Sequence, residues 1–194
     1  MTPRPESSQP IPNNAQLVFK GKIFDVYQWE QVMFDGTIAK FEKVKRPDTA
    51  LVFPIMDDGS ILLIQEEQPG SKPVICPIGG RMDDGEDALD AVKREMLEES
   101  GYEANEFILW KAINPLMKVD WVKYFFIAKG LKKVSEPSVD NGEKISFKKV
   151  SFDELLQLVS EMNFGQNDKE IIPYFFQALT NEDKKEELKK LFSI

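Results

Sequence analysis

The sequence predicts an α/β domain built in layers, with a small antiparallel sheet before it. Three observations favour this fold class. Short runs rich in Val, Ile, Phe, Tyr and Trp begin at residue 17, a strongly acidic helical stretch follows a Gly-Gly pair, and the chain ends in helical patterns. With 194 residues, 42% of them hydrophobic, the chain can bury one sizeable core. We therefore expect one main domain with a small appendage.

Composition narrows the classes of function. A net charge of −8 without any basic block argues against a nucleic-acid binder or a membrane-surface binder. The sequence shows no apolar run of membrane-spanning length and no export leader, so the predicted compartment is the cytoplasm. The single cysteine, Cys76, and the lack of histidine exclude an internal disulfide and a multi-cysteine zinc site. Any metal would therefore be held by oxygen.

The first part of the chain divides into an arm and a sheet. Residues 1–16 carry Pro, Ser, Asn and Gln in a composition that cannot form a core, which predicts a disordered arm. Two strand-like runs within residues 17–47 flank Asp35-Gly36, a strong hairpin signal. These residues are predicted to form an N-terminal antiparallel unit, and residues 48–194 the main domain with C-terminal helices.

The main domain is predicted to mix strands and helices. A second hairpin is expected around Asp58-Gly59, between an apolar run at residues 50–55 and another at residues 60–65. Later strands are predicted at residues 75–78, 107–113, 122–128 and 144–150. Ser151 and Glu154 have the spacing of a capping box. Helices are predicted at residues 86–100, 151–162, 168–179 and 182–192.

The arrangement of charges on the acidic helix is electrostatically unfavourable by itself. Glu95, Glu98 and Glu99 lie three or four residues apart and share one helix face, where like charges repel. They also stand near the C-terminal end, which Gly101 is predicted to terminate, so they oppose the helix dipole. Arg94 can reach Glu98, but it lies on the flank. Such a face is either simply solvated or a site for a divalent cation, which would reverse the repulsion.

Residues 80–102 contain the pattern G-x5-E-x7-R-E-x2-E-E-x-G. This spacing resembles the signature of the Nudix hydrolases, which hydrolyse nucleoside diphosphates linked to another group. Much of residues 18–160 is similar to the ADP-ribose and nucleotide-sugar pyrophosphatase branch. The resemblance implies a Nudix-type α/β/α sandwich, in which the helix of this motif packs on a mixed sheet. It also implies hydrolysis of a small nucleoside diphosphate derivative by a homodimer built through residues 17–47.

The resemblance also implies a set of metal ligands. Glu95 and Glu99 would bind the metal directly, Glu98 directly or through water, and the backbone carbonyl of Gly79 would be a further ligand. Carboxylate and carbonyl oxygens without His or Cys favour Mg²⁺, or Mn²⁺, over zinc or copper. The implied cofactor is therefore Mg²⁺ or Mn²⁺.

Other motif positions have implied catalytic or structural roles. Arg94 would orient the cluster by pairing with Glu86 or Glu98, while Glu86 and Gly101 are structural positions of the motif. Because the chain has no histidine, the general base must be a carboxylate or a metal-activated hydroxide. Relatives in this branch often take the base from the loop after the helix, where this chain offers Asp120.

The residues expected to contact the substrate depart from the pattern of the ADP-ribose and nucleotide-sugar pyrophosphatase branch. Where the branch places an arginine for a substrate phosphate, this chain reads Gln65-Glu66-Glu67. We expect Glu67 and Gly80 to contact substrate. Three aromatic residues could either stack on a base or pack in the N-terminal sheet: Tyr27, Trp29 and Trp121. The departures leave two alternatives open, a catalytically weak Nudix-fold nucleotide sensor and a Nudix hydrolase that acts on other nucleotides.

Overall fold

The computed structural model describes residues 1–138, 144–165 and 168–192. These residues contain eleven strands: β1 (Gln16–Lys20), β2 (Asp25–Val32), β3 (Ile38–Lys45), β4 (Thr49–Pro54), β5 (Ile61–Glu67), β6 (Val74–Cys76), β7 (Ile78–Arg81), β8 (Tyr102–Ile113), β9 (Val119–Asp120), β10 (Lys123–Lys133) and β11 (Lys144–Val150). Their four helices are α1 (Ala88–Ser100), α2 (Phe152–Ser160), α3 (Ile172–Thr180) and α4 (Glu182–Phe192).

The strands form three sheets, and helices cover both faces of the central one. The N-terminal sheet has the order β1-β2-β3-β9, the central sheet β7-β4-β10-β8, and the third sheet β11-β5-β6. Strand β10 pairs parallel with β4 and antiparallel with β8, so the central sheet is mixed. Helix α1 packs on one face, and α2, α3 and α4 pack on the other. The predicted α/β sandwich with a preceding antiparallel sheet is confirmed.

Strand β4 shows how the layers are held together. Ala50 and Val52 pack in a hydrophobic cluster with side chains of α1. Leu51 and Phe53 point the other way and pack with side chains of α2, α3 and α4. Successive residues of a strand face opposite sides, so a strand covered on both faces is apolar throughout. This explains the unbroken apolar run that β4 contains.

The predicted hairpin at Asp58-Gly59 is wrong, although its turn forms. The Met56 N–H donates to the Ser60 carbonyl at 2.8 Å, and a single bridge joins Ile55 to Ile61. Beyond that bridge β4 and β5 enter different sheets, where β4 pairs with β7 and β10, and β5 with β6 and β11. The apolar residues of β4 and those at the start of β5 are buried on both faces of their strands. In its own sheet, each strand is hydrogen-bonded to a neighbouring strand on either side.

The hairpin predicted at Asp35-Gly36 is present. Strands β2 and β3 pair antiparallel on either side of the turn, and Asp35 accepts hydrogen bonds from the amide and hydroxyl of Thr37. Trp29 of this sheet packs against Phe41 and is almost fully buried, which favours a packing role for it. Strand β3 also pairs with β9, which connects the N-terminal sheet to the main domain.

The first residues differ from the sequence expectation. Residues 1–15 have no helix or strand, but residues 2–9 contact the domain through polar groups, so the expectation of a disordered arm over residues 1–16 is corrected. The composition cannot build a core, but its polar side chains meet charged partners from distant parts of the chain. We call residues 2–11 the N-terminal strap.

The C-terminal helices follow the sequence with small shifts. Ser151 and Glu154 form the predicted capping box at the start of α2. Helix α3 begins at Ile172, later than predicted, with Pro173 in its first turn, where its missing N–H costs no helical hydrogen bond. Among the described residues, no helix is both long and apolar enough to cross a membrane.

Candidate active site

Helix α1 presents the acidic face, and its two ends are firmly capped. Asp87 precedes the helix and accepts a hydrogen bond from the Leu89 N–H at 3.0 Å. At the other end Gly101 is left-handed, with φ 72°, and its N–H donates to the Leu97 carbonyl. A Cβ at Gly101 would overlap the carbonyl oxygen of Ser135. The helix therefore ends directly after the glutamates, at a residue that has to be glycine.

Arg94 lies at the centre of the carboxylates. Its Nε and Nη2 donate to the two oxygens of Glu86, each at 3.0 Å. Its Nη1 donates to Glu95 at 2.8 Å and to Glu98 at 3.2 Å, and Nη2 also reaches the Arg81 carbonyl at 3.2 Å. The hydrogen bonds from Arg94 hold the pKa of Glu86 below its usual value. One guanidinium thus joins the loop before α1 to two carboxylates on the helix.

Glu95 lies against the backbone of β7. Burial raises its pKa, while its hydrogen bond from Arg94 acts in the opposite direction. A Cβ placed on Gly80 would lie 2.8 Å from the Glu95 carboxylate carbon and from both of its oxygens. Only glycine lets the strand approach this carboxylate so closely.

Glu99 has the corresponding position beside Gly79. The Gly79 N–H donates to the Glu99 carboxylate at 3.0 Å, and Glu99 is only 9% exposed. Gly79 has φ 137°, and a Cβ there would overlap the carbonyl oxygen of Ala50. The structure therefore brings together the Gly-Gly pair of β7 and two of the three α1 glutamates.

Glu98 is the most exposed of the three. Its side chain is 49% exposed, and its ion pair with Arg94, at 3.2 Å, is longer than that of Glu95. Such an exposed pair contributes little to stability, so the carboxylate can exchange partners at small cost.

The candidate ligands of this site offer the kind of donor atom that a hard divalent cation prefers. All the candidate donors are oxygens, which suits Mg²⁺ or Mn²⁺, and the close approach at Gly80 brings backbone to the carboxylates. Within the described ranges, however, no three Asp, Glu or Cys side chains converge as a metal-binding group. Glu95 and Glu98 are turned towards Arg94, and Glu99 towards an amide. A cation would draw these carboxylates from their present partners.

Two other predicted site residues, Asp120 and Glu67, lie outside the group of carboxylates on α1. Asp120, in β9, accepts a hydrogen bond from Arg4 of the strap at 3.0 Å. It lines a cavity of about 360 Å³ together with Glu86 and the loop before α1. Glu67 ends β5 opposite Lys144, so it belongs to the third sheet and not to β7 or α1.

The same cavity contains residues that the sequence analysis did not single out. Asp48 accepts two hydrogen bonds from Arg4, and Lys45 and Arg46 add two further cations. The Arg46 guanidinium lies 4.3 Å from the centre of the Trp121 ring, and its buried Nε has no hydrogen-bond partner. Burial lowers the pKa of Arg46. The only signal for these residues in the sequence is a basic pair at the boundary of the N-terminal unit.

Comparison with known proteins decides the family. The model of the NUDIX domain matches residues 45–175, more than half of the chain. The chain belongs to the NUDIX family. The resemblance drawn from the motif is thereby confirmed, and the protein is a Nudix hydrolase.

Individual relatives are moderately similar to this chain in sequence. The chain is 26% identical over 167 residues to the methanol dehydrogenase activator of Bacillus methanolicus, covering 84% of this chain and 90% of that protein. It is 27% identical over 148 residues to the ADP-ribose pyrophosphatase of Bacillus subtilis (strain 168), covering 74% and 80%. A solved structure of an ADP compounds hydrolase has a TM-score of 0.72 at 21% identity, covering 96% of this chain and 97% of that one, so the fold is shared.

Proposed function

We propose that this protein hydrolyses the diphosphate bond of a nucleoside diphosphate derivative, of the ADP-ribose or nucleotide-sugar type, with Mg²⁺ or Mn²⁺ as cofactor. The observation that carries the proposal is the contact of Gly79 and Gly80 with Glu99 and Glu95, beside the exposed Glu98. The similarity to an ADP-ribose pyrophosphatase supports ADP-ribose as the first substrate to test.

In this proposal the acidic face of α1 holds the cation. Glu95, Glu99 and the Gly79 carbonyl would be the ligands, and Glu98 would contact the cation directly or through water. Mg²⁺ bound there would supply positive charge to the diphosphate oxygens and would make a bound water more acidic. Arg94 keeps the carboxylates in place through its hydrogen bonds to Glu86, Glu95 and Glu98.

The reaction requires a group that accepts the proton of water. The water oxygen forms a bond to one phosphorus while the bridging P–O bond breaks, which for ADP-ribose gives AMP and ribose 5-phosphate. Glu98 is the carboxylate we assign to this proton, because it is exposed and weakly paired. Asp120 is the second candidate, but its carboxylate is paired with Arg4.

The test is a hydrolysis assay across a panel of substrates. ADP-ribose, several nucleotide-sugars, dinucleotides and nucleoside triphosphates are incubated with Mg²⁺, with Mn²⁺ and with EDTA. We expect turnover that needs the cation and is greatest for an ADP-ribose-type substrate. Lack of cation-dependent turnover on every compound would refute the enzymatic proposal.

A nucleotide sensor without catalysis is the second candidate. It is favoured by one observation, that the described carboxylates do not converge as a metal-binding group. Isothermal titration calorimetry, read together with the hydrolysis assay, separates the two functions. A sensor binds ADP-ribose in the calorimeter but shows no turnover in the assay. A third candidate, hydrolysis of other nucleotides, is decided by the same substrate panel.

We also propose a homodimer formed through the N-terminal sheet, in the cytoplasm. At the far end of its hairpin Val32 and Ile38 pair across β2 and β3, and both are about two-thirds exposed, next to the fully exposed Phe34. Leu17 and Phe19 of β1 are about half exposed. Exposed apolar side chains grouped on one sheet are typical of a protein interface.

A further inference from the structure

The N-terminal strap is tied to the region around the acidic helix at two points. The Thr2 N–H and hydroxyl donate to the two oxygens of Asp87, at 2.6 and 2.8 Å. Arg4 donates to both oxygens of Asp48, at 2.7 and 3.1 Å, and to Asp120 at 3.0 Å. The strap therefore begins at the residue that caps α1 and passes over the start of β4.

A third tether fixes the strap to the N-terminal sheet. The Lys43 ammonium donates to the Ser7 hydroxyl and to the Gln9 carbonyl, both at 2.6 Å, and Lys118 donates to the Gln9 side chain at 3.0 Å. Lys43 is only 1% exposed, and burial lowers its pKa. The strap thus bridges the main domain and the N-terminal sheet along a defined path.

The strap forms the wall of a cavity. This cavity, of about 470 Å³, is lined on the other side by Tyr27, Lys45 and Asp120. Five residues of the strap line it: Arg4, Glu6, Ser7, Pro10 and Ile11. It shares Arg4, Lys45 and Asp120 with the cavity of about 360 Å³ beside the loop before α1, so these residues stand at the junction of the two. Both volumes are within the range of small-molecule sites.

The chemistry of the strap cavity suits an uncharged polyhydroxyl group. Two cations, Arg4 and Lys45, are balanced by two carboxylates, Glu6 and Asp120. A phosphate group in the strap cavity would meet no excess of positive charge. Sugar hydroxyls, in contrast, can both donate hydrogen bonds to the carboxylates and accept them from the cations. The aromatic ring of Tyr27 offers an apolar surface for the face of a sugar ring.

We propose that the N-terminal strap completes a subsite for the sugar of the substrate, the part that lies beyond the diphosphate. This inference rests on the proposed function and specifies which part of the substrate the strap recognises. Arg4 is the central residue, because Asp48 and Asp120 fix its guanidinium through Nε and Nη2, and Nη1 takes part in none of these three hydrogen bonds. In the complex, Nη1 donates to a sugar hydroxyl at the junction of the two cavities.

The experiment compares two substrates that differ only beyond the diphosphate. ADP-ribose carries the sugar, and the methyl ester of ADP at its β-phosphate carries none. The variants are a deletion of residues 2–11 and Arg4→Gln, with Ser8→Ala as the matched control, because Ser8 is exposed and lines neither cavity. The deletion removes no side chain of either hydrophobic cluster, and thermal unfolding monitors its fold.

We expect the deletion and Arg4→Gln to raise the KM for ADP-ribose about tenfold. That change corresponds to about 1.4 kcal/mol, the size of one or two net hydrogen bonds. The kcat should stay within about twofold, the KM for the methyl ester should not change, and Ser8→Ala should match the wild type. Unchanged KM for ADP-ribose, or equal changes for both substrates, would overturn the proposal. If the deletion fails to fold, Arg4→Gln decides.

Failure of the proposed function would be recognised separately. If the wild type hydrolyses neither substrate, hydrolysis of ADP-ribose is refuted, and calorimetric binding of ADP-ribose then tests the strap. Weaker binding by Arg4→Gln than by Ser8→Ala supports the subsite. Equal binding by these two variants, or no binding by the wild type, overturns it.

Discussion

The guanidinium of Arg94 and the carboxylate of Glu86 are joined by two parallel hydrogen bonds of 3.0 Å each. Glu86 also accepts a hydrogen bond from the Asp83 N–H at 2.9 Å, so this pair fixes the loop before α1. The remaining nitrogen, Nη1, contacts Glu95 and Glu98. Arg94 is therefore the residue on which the relative positions of the loop and the acidic face depend.

Glu86→Gln tests that dependence. The amide loses the negative charge and one acceptor oxygen, so we expect the free energy of unfolding to fall by about 1 kcal/mol and kcat to fall about tenfold. Urea unfolding and steady-state kinetics measure the two effects, with the exposed Glu106→Gln as control. Wild-type kcat in Glu86→Gln would show that Arg94 does not need this partner.

The two glycines of β7 should respond differently to alanine. Gly79→Ala places a Cβ on the Ala50 carbonyl at a positive φ, so we expect a loss of about 3 kcal/mol or more in the free energy of unfolding. In Gly80→Ala the Cβ meets only the end of the Glu95 side chain, which can move. We expect that variant to stay folded but to lose activity on the order of 100-fold. Calorimetric melting and kinetics of both variants provide the check; equal stability of the two would contradict the geometry.

The contact of Thr2 of the strap with Asp87 should depend on pH. The hydrogen bonds from Thr2, together with that from Leu89, hold the pKa of Asp87 below its usual value. This contact therefore favours the ionised carboxylate, is present above about pH 4, and weakens as the pH falls through the lowered pKa. The NMR shift of the Thr2 amide should titrate with a midpoint below about pH 3.9, and Asp87→Asn should remove this step. A midpoint above the usual aspartate pKa would be inconsistent with the contact.

The proposed dimer should dissociate when charge is placed on the N-terminal sheet. Val32→Lys and Ile38→Lys place ammonium groups at the exposed end of the hairpin and should yield monomers, because a charge buried in an interface is costly. Sedimentation velocity measures the effect. Leu179→Lys, at an exposed apolar position on α3, is the matched control and should leave the dimer intact. A wild type that sediments as a monomer would refute the dimer directly.

The features that sequence reasoning predicted are local ones. The spacing of Glu95, Glu98 and Glu99, the stop at Gly101 and the hairpin at Asp35-Gly36 all depend on residues a few positions apart. Periodicity and backbone conformation carry that information, so these parts of the fold could be read directly. The same local pattern also identified the family.

The features that it missed are non-local. The separation of β4 from β5 depends on competition among strands far apart in the chain. The contacts of Arg4 with Asp48 and Asp120 join residues separated by 44 and 116 positions, and no local pattern specifies such a pairing. For the same reason the placement of Glu67 in the third sheet, away from β7, was not predictable.

The most direct test of the central claim is the Mg²⁺-dependent conversion of ADP-ribose to AMP and ribose 5-phosphate, followed by ³¹P NMR. We expect the wild type and Glu106→Gln to turn over equally, and kcat of Glu98→Gln to fall on the order of 100-fold or more with its fold retained. EDTA should abolish the reaction. Wild-type turnover by Glu98→Gln, or turnover that persists in EDTA, would contradict a cation-dependent reaction centred on the acidic face of α1.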